Sequence, residues 1–466
     1  MSDKSSGKRS GREQTTSELR NKSILILGAG RVAAPCVRDL SGLGVNLTVV
    51  GNDVGETPDR WAYFLSNTLI NDRIRFQHWG GELDDVFADW VHTHDLVISL
   101  LPPSHHVGVA QKCIVKQTDL LTTSYVSEEM LSLDEDAKAR GVLLLNECGL
   151  DPGLDHMSII RARDRFADQE YNITSLSSYC GGLPAPDFKE SPWNYKFSWS
   201  PAGVIRAMNR DATYLRDDQV YVVAASDLAD HAIAFSEPPY GALEAYPNGN
   251  SLPYKEKYGL NAVQSLLRGT IRYSGWLAIF QGLREVGLLS ERNISDTDWF
   301  ALITTLLNGE HTGINVKLRE ALHQIGTASL QSPTGIADDS CMARLAAAMS
   351  EQLSFTSGER DLVFMRHTYG LRTSIPEIDS TPKKGPEQLQ EQLVVTGDPL
   401  GQLGAESAMA KTVGLTASKS AHWILKHRLS APTHQQLVGV HIPTHIDIAS
   451  FVLDGMAATG ISFTHV

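Results

Sequence analysis

The sequence predicts an α/β protein: a Rossmann fold, that is, a doubly wound parallel sheet, followed by an α+β second domain with a small helical insertion. Three observations lead there. Short apolar runs bounded by Gly, Pro, Asn or Asp alternate with helical stretches through the first half. A G-x-G-x-x-A turn follows the first run, at Gly28 to Ala33. The length of 466 residues exceeds what one core of ordinary size accommodates.

Taken in order, residues 1–21 read as a disordered tail, because they are rich in Ser, Gly, Lys and Arg and lack the apolar core of a secretory signal. The Rossmann domain is expected over 22–125, an α+β domain over 126–260 and 345–405, and the helical domain over 261–344. Strands are expected at Ser23 to Gly28, Leu47 to Gly51, Ile74 to Trp79, Leu96 to Leu101, Asp119 to Tyr125 and Val142 to Asn146. Beyond them Tyr171 to Tyr179 and Gln219 to Ala225 read as strands. Asn261 to Leu289 and Met342 to Leu353 read as helices, and Ile375 to Gln392 as an exposed linker or hairpin.

Hydrophobic residues at 42% and charged residues at 20% fit an ordinary globular protein. No apolar run approaches the ~18 residues of a membrane helix. A net charge of -13, with no Lys/Arg cluster outside the tail, excludes a general nucleic-acid binder. Five scattered cysteines without a C-x-x-C pair point to reduced cytoplasmic thiols rather than a disulfide framework or a metal site.

In the G-x-G-x-x-A turn, Gly28 permits the tight bend, Gly30 lets the backbone approach a pyrophosphate, and Ala33 allows close helix packing. Arg31 and Val32 lie at the start of the helix, whose N–H groups face the phosphates. Asp53 ends the second strand roughly 20 residues on, where a carboxylate receives the ribose hydroxyls and favours NAD over NADP. Arg31 and Arg60 leave NADP open. The end of the fourth strand, Ser99, Leu100 and Leu101, should border the nicotinamide half. His105 and His106 read as helix-start or surface residues.

A second constellation spans Asn146 to His156, where polar groups crowd a Gly/Pro turn after an apolar strand. Asp151 or Asp155 can act there as a proton carrier, Glu147 as a buried partner and His156 as a helix-start donor. The alternative reading is that the acids cap the helix starting near Met157.

Several segments resemble the saccharopine reductase family, the glutamate-forming saccharopine dehydrogenases: Leu150 to His156, Tyr179 to Pro186, Tyr195 to Ser200, Arg268 to Tyr273 and Ala408 to Gly414. The resemblance implies reduction of the imine of 2-aminoadipate semialdehyde and glutamate, or the reverse oxidation, in lysine metabolism. It also implies a small-molecule amino-acid substrate, a homodimer, a Rossmann domain completed by about 406–466, and a substrate and dimerisation role for the α+β domain of 126–260 and 345–405. Carried over by position, Thr123, Ser124 and Tyr125 fall at the substrate edge, and Leu150, Asp151 and Pro152 touch the nicotinamide. Asp151, Cys180 and Tyr125 are the catalytic candidates. Asn248, Gly249, Gly269, Thr270 and Arg272 are the substrate-binding candidates, with Arg272 or Arg268 suited to a carboxylate.

Two departures stand out. Where the family usually reads Pro-Asn-Arg-Asp-Ser, this chain has Pro247-Asn248-Gly249-Asn250-Ser251, and Pro103 replaces an aromatic residue. A carboxynorspermidine- or opine-type imine with one carboxylate fewer therefore also fits.

Overall fold

The computed structural model describes residues 19–30, 32–52, 72–188, 191–294, 298–309, 315–328, 340–374, 388–432 and 435–466. These form two compact units. The first holds the described residues up to Asp164, with Leu403–Glu406 and Ala410–Ser462; the second holds those of Arg165–Gln402, with Ser407–Met409 and Phe463–Val466. The expected disordered tail lies almost wholly outside the described residues.

The chain opens with β1 (Ser23–Leu27), α1 (Ala33–Gly42), β2 (Asn46–Gly51), β3 (Ile74–His78), α2 (Asp85–His92), β4 (Leu96–Ser99), α3 (His106–Lys116) and β5 (Asp119–Thr122). The helices α4 (Glu128–Leu131) and α5 (Asp134–Arg140), strand β6 (Leu143–Leu145) and helix α6 (Leu154–Asp168) follow. β1, β4, β5 and β6 are almost completely buried, which is why they read as continuous apolar runs rather than alternating ones: helices cover both faces of a parallel sheet. Local chemistry sets the helix ends. Asp84 accepts the Phe87 N–H at 2.9 Å and Ser127 that of Met130 at 3.1 Å, while α5 stops at Gly141 in the left-handed region.

In the second unit come β7 (Tyr171–Pro184), α7 (Pro201–Met208), β8 (Ala212–Arg216), β9 (Gln219–Val223), β10 (Ile233–Glu237), β11 (Gly241–Pro247), α8 (Pro253–Lys257) and β12 (Ser265–Tyr273). They are followed by α9 (Trp276–Glu285), α10 (Trp299–Asn308), α11 (Val316–Gly326), α12 (Cys341–Gln352), β13 (Asp361–Thr373) and β14 (Gln388–Thr396). The chain closes with α13 (Ala408–Ser430), β15 (Gly439–His441), α14 (Ile446–Ala457) and β16 (Thr464–His465).

The first sheet has seven described strands in the order β15-β6-β5-β4-β1-β2-β3, all parallel. Chain order reverses between β1 and β4, the switch point where such sheets bind ligands. β6 pairs with β5 inside this sheet, so the first unit runs to Asp164 instead of ending near Tyr125. Arg428 of α13 grips Asp119 of β5 through two 2.6 Å bonds.

The second sheet runs β10-β11-β12-β7-β13-β14-β16, with β8 beside β12 and β9 beside β8. The stretch Asn261 to Leu289, read as one helix, contains the central strand β12 before α9. β12 lies between β11 and β7, and its apolar residues serve both faces. Ile271 joins Leu183, Leu243, Ala245, Leu362 and Phe364 on one side. Helices α9 to α12 pack with the segment before α7 into an aromatic core that includes Trp193, Tyr195, Trp276, Phe280 and Trp299. Each such buried aromatic side chain contributes roughly 2 to 3 kcal/mol through the area it removes from water. Of the stretch Ile375 to Gln392, residues 375–387 lie outside the described residues, and 388–392 begin β14, the antiparallel neighbour of β13.

Candidate active site

In the first unit the loops after β1, β4, β5 and β6 leave the same edge of the sheet. Gly28 has φ +100°, and a Cβ there would stand 3.2 Å from the Leu100 carbonyl oxygen, so the first turn needs glycine on both counts. A Cβ on Gly30 would meet nothing within 4 Å. That open space faces the start of α1, where Val32 supplies no side-chain cap to the N–H groups. From the other side, α13 presses onto this turn: a Cβ on Gly414 would lie 2.4 Å from the Val32 carbonyl oxygen. The cradle fits a pyrophosphate held by backbone N–H groups. Arg31, Asp53 and Arg60 lie outside the described residues.

Beside it, the Leu100 N–H bonds the Leu27 carbonyl at 2.8 Å, holding Leu100 and Leu101 at the mouth of the switch point. Ser99 Oγ lies 3.0 Å from His106 Nδ1, and His106 Nε2 lies 2.9 Å from Ser124 Oγ. His106 thus ties the ends of β4 and β5 together from a site only 4% exposed. Burial and the neighbouring His105 push its pKa down to about 4. His105 is exposed as expected of a surface residue, whereas His106 is not. The sequence signal for it was weak: a histidine at a helix start, with serines on two adjacent strand ends.

The second constellation separates into a buried and an exposed part. Glu147 sits in the left-handed region at φ 59°, and its N–H bonds the Ser124 carbonyl at 3.1 Å. Its carboxylate accepts the Val126 N–H at 3.1 Å and meets His156 Nε2 at 2.7 Å. His156 Nδ1 lies 3.4 Å from Asp155, which accepts the Gly153 N–H at 2.6 Å. All three side chains are buried, so Asp155 braces the turn and is not placed to exchange protons with a substrate. Gly149 and Gly153 close the turn, since a Cβ on Gly153 would stand 2.1 Å from the Gly149 oxygen. Pressed outward by this turn, Asp151 is exposed between buried Leu150 and Pro152, and the Tyr125 hydroxyl donates to its Oδ1 at 2.6 Å. Two of the three catalytic candidates therefore meet as a hydrogen-bonded pair, with Thr123 and Ser124 just before the tyrosine.

The second unit carries the remaining candidates on β12, on β7 beside it and in the turn after β11. Thr270 pairs with Cys180 of β7 and with Tyr246 of β11, and Arg268, Thr270 and Arg272 alternate along the same side of β12. Gly269 is required by a close approach: its Cβ would stand 2.3 Å from the Tyr246 oxygen. Asn248 Nδ2 donates to Thr270 Oγ1 at 3.0 Å. Arg272 is 5% exposed, 5.0 Å from the Tyr195 ring centre and 5.5 Å from that of Trp276. Its Nη1 donates to the Ile271 carbonyl, and its buried Nε has no partner among the described residues. A buried guanidinium with no carboxylate partner among the described residues is a ready anion receptor. Arg268 lies 4.0 Å from the Tyr254 ring centre.

Together the strand order and the glycine cradle define a dinucleotide-binding α/β protein of the Rossmann class. Residues 24–145 match the saccharopine dehydrogenase NADP binding domain, and residues 149–461 match the saccharopine dehydrogenase C-terminal domain. The chain belongs to the saccharopine dehydrogenase family. It is 32% identical over 438 residues to saccharopine dehydrogenase [NADP(+), L-glutamate-forming] of Pyricularia oryzae, covering 88% of this chain and 92% of that one. It is 31% identical to the mitochondrial alpha-aminoadipic semialdehyde synthase of Bos taurus, over 97% of this chain but 48% of that protein, so it spans about half of the bovine relative. The apo histidine-tagged saccharopine dehydrogenase (L-Glu forming) of Saccharomyces cerevisiae shares the fold, with a TM-score of 0.77 at 24% identity over 96% of this chain and 100% of that one. The preference for NAD read from Asp53 finds no support: the matching domain is described as NADP-binding. No helix of the described residues is long and apolar enough to cross a membrane.

Proposed function

We propose that the chain catalyses the NADP-linked interconversion of saccharopine and water with L-glutamate and 2-aminoadipate semialdehyde, as the names of its curated relatives describe. The observation that carries this reading is the face of β12, where Arg268, Thr270 and Arg272, the last with no carboxylate partner among the described residues, together with Asn248 suit a substrate bearing several carboxylates. Gly28, Gly30, Val32, Leu100, Leu101, Leu150, Asp151 and Pro152 would hold the dinucleotide, which supplies or accepts the hydride when bound. The adenine-ribose phosphate of NADP is assigned no residue, because 53–71 lies outside the described residues.

The rest is proton handling and positioning. In the oxidative direction the secondary amine must lose a proton before hydride leaves the adjacent carbon. The Asp151 carboxylate, steadied by the Tyr125 hydroxyl, is the acceptor. Water then adds to the imine carbon, and the carbinolamine collapses to aldehyde as the glutamate amine departs and takes up a proton. Cys180, on the Thr270 face, lines the substrate side. The reading carries a homodimer with it, for which Val220 and Val222, exposed on the same side of β9, are candidate contacts. Purified protein given saccharopine with NADP or NAD, followed by absorbance of the reduced cofactor, tests the reading. Turnover with NADP supports it, and absence of turnover with both cofactors overturns it. A polyamine-type imine rests on Gly249 alone.

A further inference from the structure

The turn that carries Gly249 is built to admit a guanidinium from elsewhere in the chain. Gly249 is buried at φ +65°, and a Cβ there would stand 3.0 Å from Arg210 Nη2 and 3.3 Å from its Cζ. Arg210, two residues past the end of α7, therefore lies flat against backbone that any other residue would have covered. Its Nη2 donates to Asn248 Oδ1 at 2.8 Å, and the other end of that amide donates to Thr270 Oγ1 at 3.0 Å. Donor and acceptor at its two ends fix the amide's orientation. The turn is sewn down on both sides: the Gly249 carbonyl accepts the Thr213 N–H at 2.8 Å, and Ser251 Oγ accepts the Arg268 N–H at 2.9 Å.

Arg210 is exposed and pairs with no carboxylate among the described residues. The neighbouring acid, Asp211, is turned away to accept the Ala225 N–H at 3.0 Å. A cation held by a neutral amide, on the chain of bonds that ends at Thr270 between Arg268 and Arg272, keeps most of its donors for a ligand. We propose that Arg210 is a substrate-carboxylate anchor, supplying from the end of α7 the positive charge that the turn itself lacks at Gly249. The proposal rests on the reading of this face as the carboxylate-binding side of a saccharopine dehydrogenase, and it makes the full three-carboxylate substrate compatible with a glycine at 249.

The test uses the full chain and the Arg210→Ala, Arg210→Lys and Arg210→Ala/Gly249→Arg variants, with two readouts. The first is the dissociation constant of glutarate by titration calorimetry in the presence of NADP; the second is KM for saccharopine. Loss of one charged hydrogen-bond partner should weaken both by about 10- to 100-fold in Arg210→Ala. The lysine variant should fall between, and the KM for NADP and the thermal midpoint should stay put. In the double variant the arginine returns from position 249 and should recover part of the affinity. Wild type that binds no glutarate, or equal glutarate affinity in wild type and Arg210→Ala, overturns the anchor. The functional reading fails separately: no saccharopine turnover, with glutarate binding still dependent on Arg210, would reject saccharopine and keep the anchor.

Discussion

His106 makes the stability of the first unit depend on pH in a calculable way. Its folded pKa is pushed down from 6.5 to about 4 by burial and by His105, so the unfolded chain takes up the proton more readily. Stability from this group is complete above pH 6.5, falls as the pH drops, and levels off near pH 4, because below that value both states are protonated. With those two values, linkage gives a loss of about 2 kcal/mol between pH 7 and pH 5, and about 3 kcal/mol in full. His94, His422 and His427 are shifted in the same direction, so the wild-type slope alone does not isolate His106. The assay is urea unfolding at pH 7 and pH 5 of wild type and His106→Gln, whose amide keeps a donor and an acceptor but does not titrate. Two units need not unfold together, so the comparison is made on the transition that the substitution moves. The variant should lose about 2 kcal/mol less than wild type over this interval, whatever its absolute stability. An equal loss in both proteins would refute a neutral, buried His106 as the bridge between Ser99 and Ser124.

Other outcomes follow from the same geometry. Asp151→Asn should lower kcat by ~100- to 10,000-fold with KM for NADP little changed, and Tyr125→Phe should produce a smaller fall, both read in steady-state kinetics. Arg272→Gln should raise the saccharopine KM by about 10- to 100-fold while leaving the KM for NADP unchanged. Gly30→Ala should leave the thermal midpoint within a degree or two, since its Cβ meets nothing within 4 Å, yet weaken NADPH binding measured by fluorescence. Arg428→Ala strands the largely buried Asp119 carboxylate and should cost about 3 to 5 kcal/mol in urea unfolding.

What the sequence made legible was governed by how local the determinant is. The parallel strands announced themselves because a sheet covered on both faces concentrates apolar residues into short runs, and the Gly28 to Ala33 turn did so because backbone sterics dictate it. β12 was misread for the opposite reason. Arg268 and Arg272 sit four apart, the spacing of a helix face, and Gly269 and Thr270 interrupt any clean alternation. Only the neighbouring strands β7 and β11 make that stretch extended, and nothing local says they will be there. The exposed Tyr125 and Asp151 were visible as types, whereas their 2.6 Å bond needed the turn that Gly149 and Gly153 close. His106 was legible only as a helix-start or surface residue and Arg210 was not singled out, because each owes its role to residues brought up by other elements.

The pressure of Gly414 against Val32 and the pairing of β15 with β6 also bear on how the molecule comes into being. Roughly the first third of the polypeptide emerges from the ribosome with the edge of β6 unpaired and the nucleotide turn unbraced, and the missing pieces are encoded beyond a whole intervening unit. The second unit can condense as soon as most of its own strands have been made, while the first must wait for α13 and β15. A nascent chain halted before residue 410 would present an open edge of β6, a natural target for chaperones. Loss of only the final fifty or so residues should therefore damage the nucleotide-binding half first, although that half is encoded at the start.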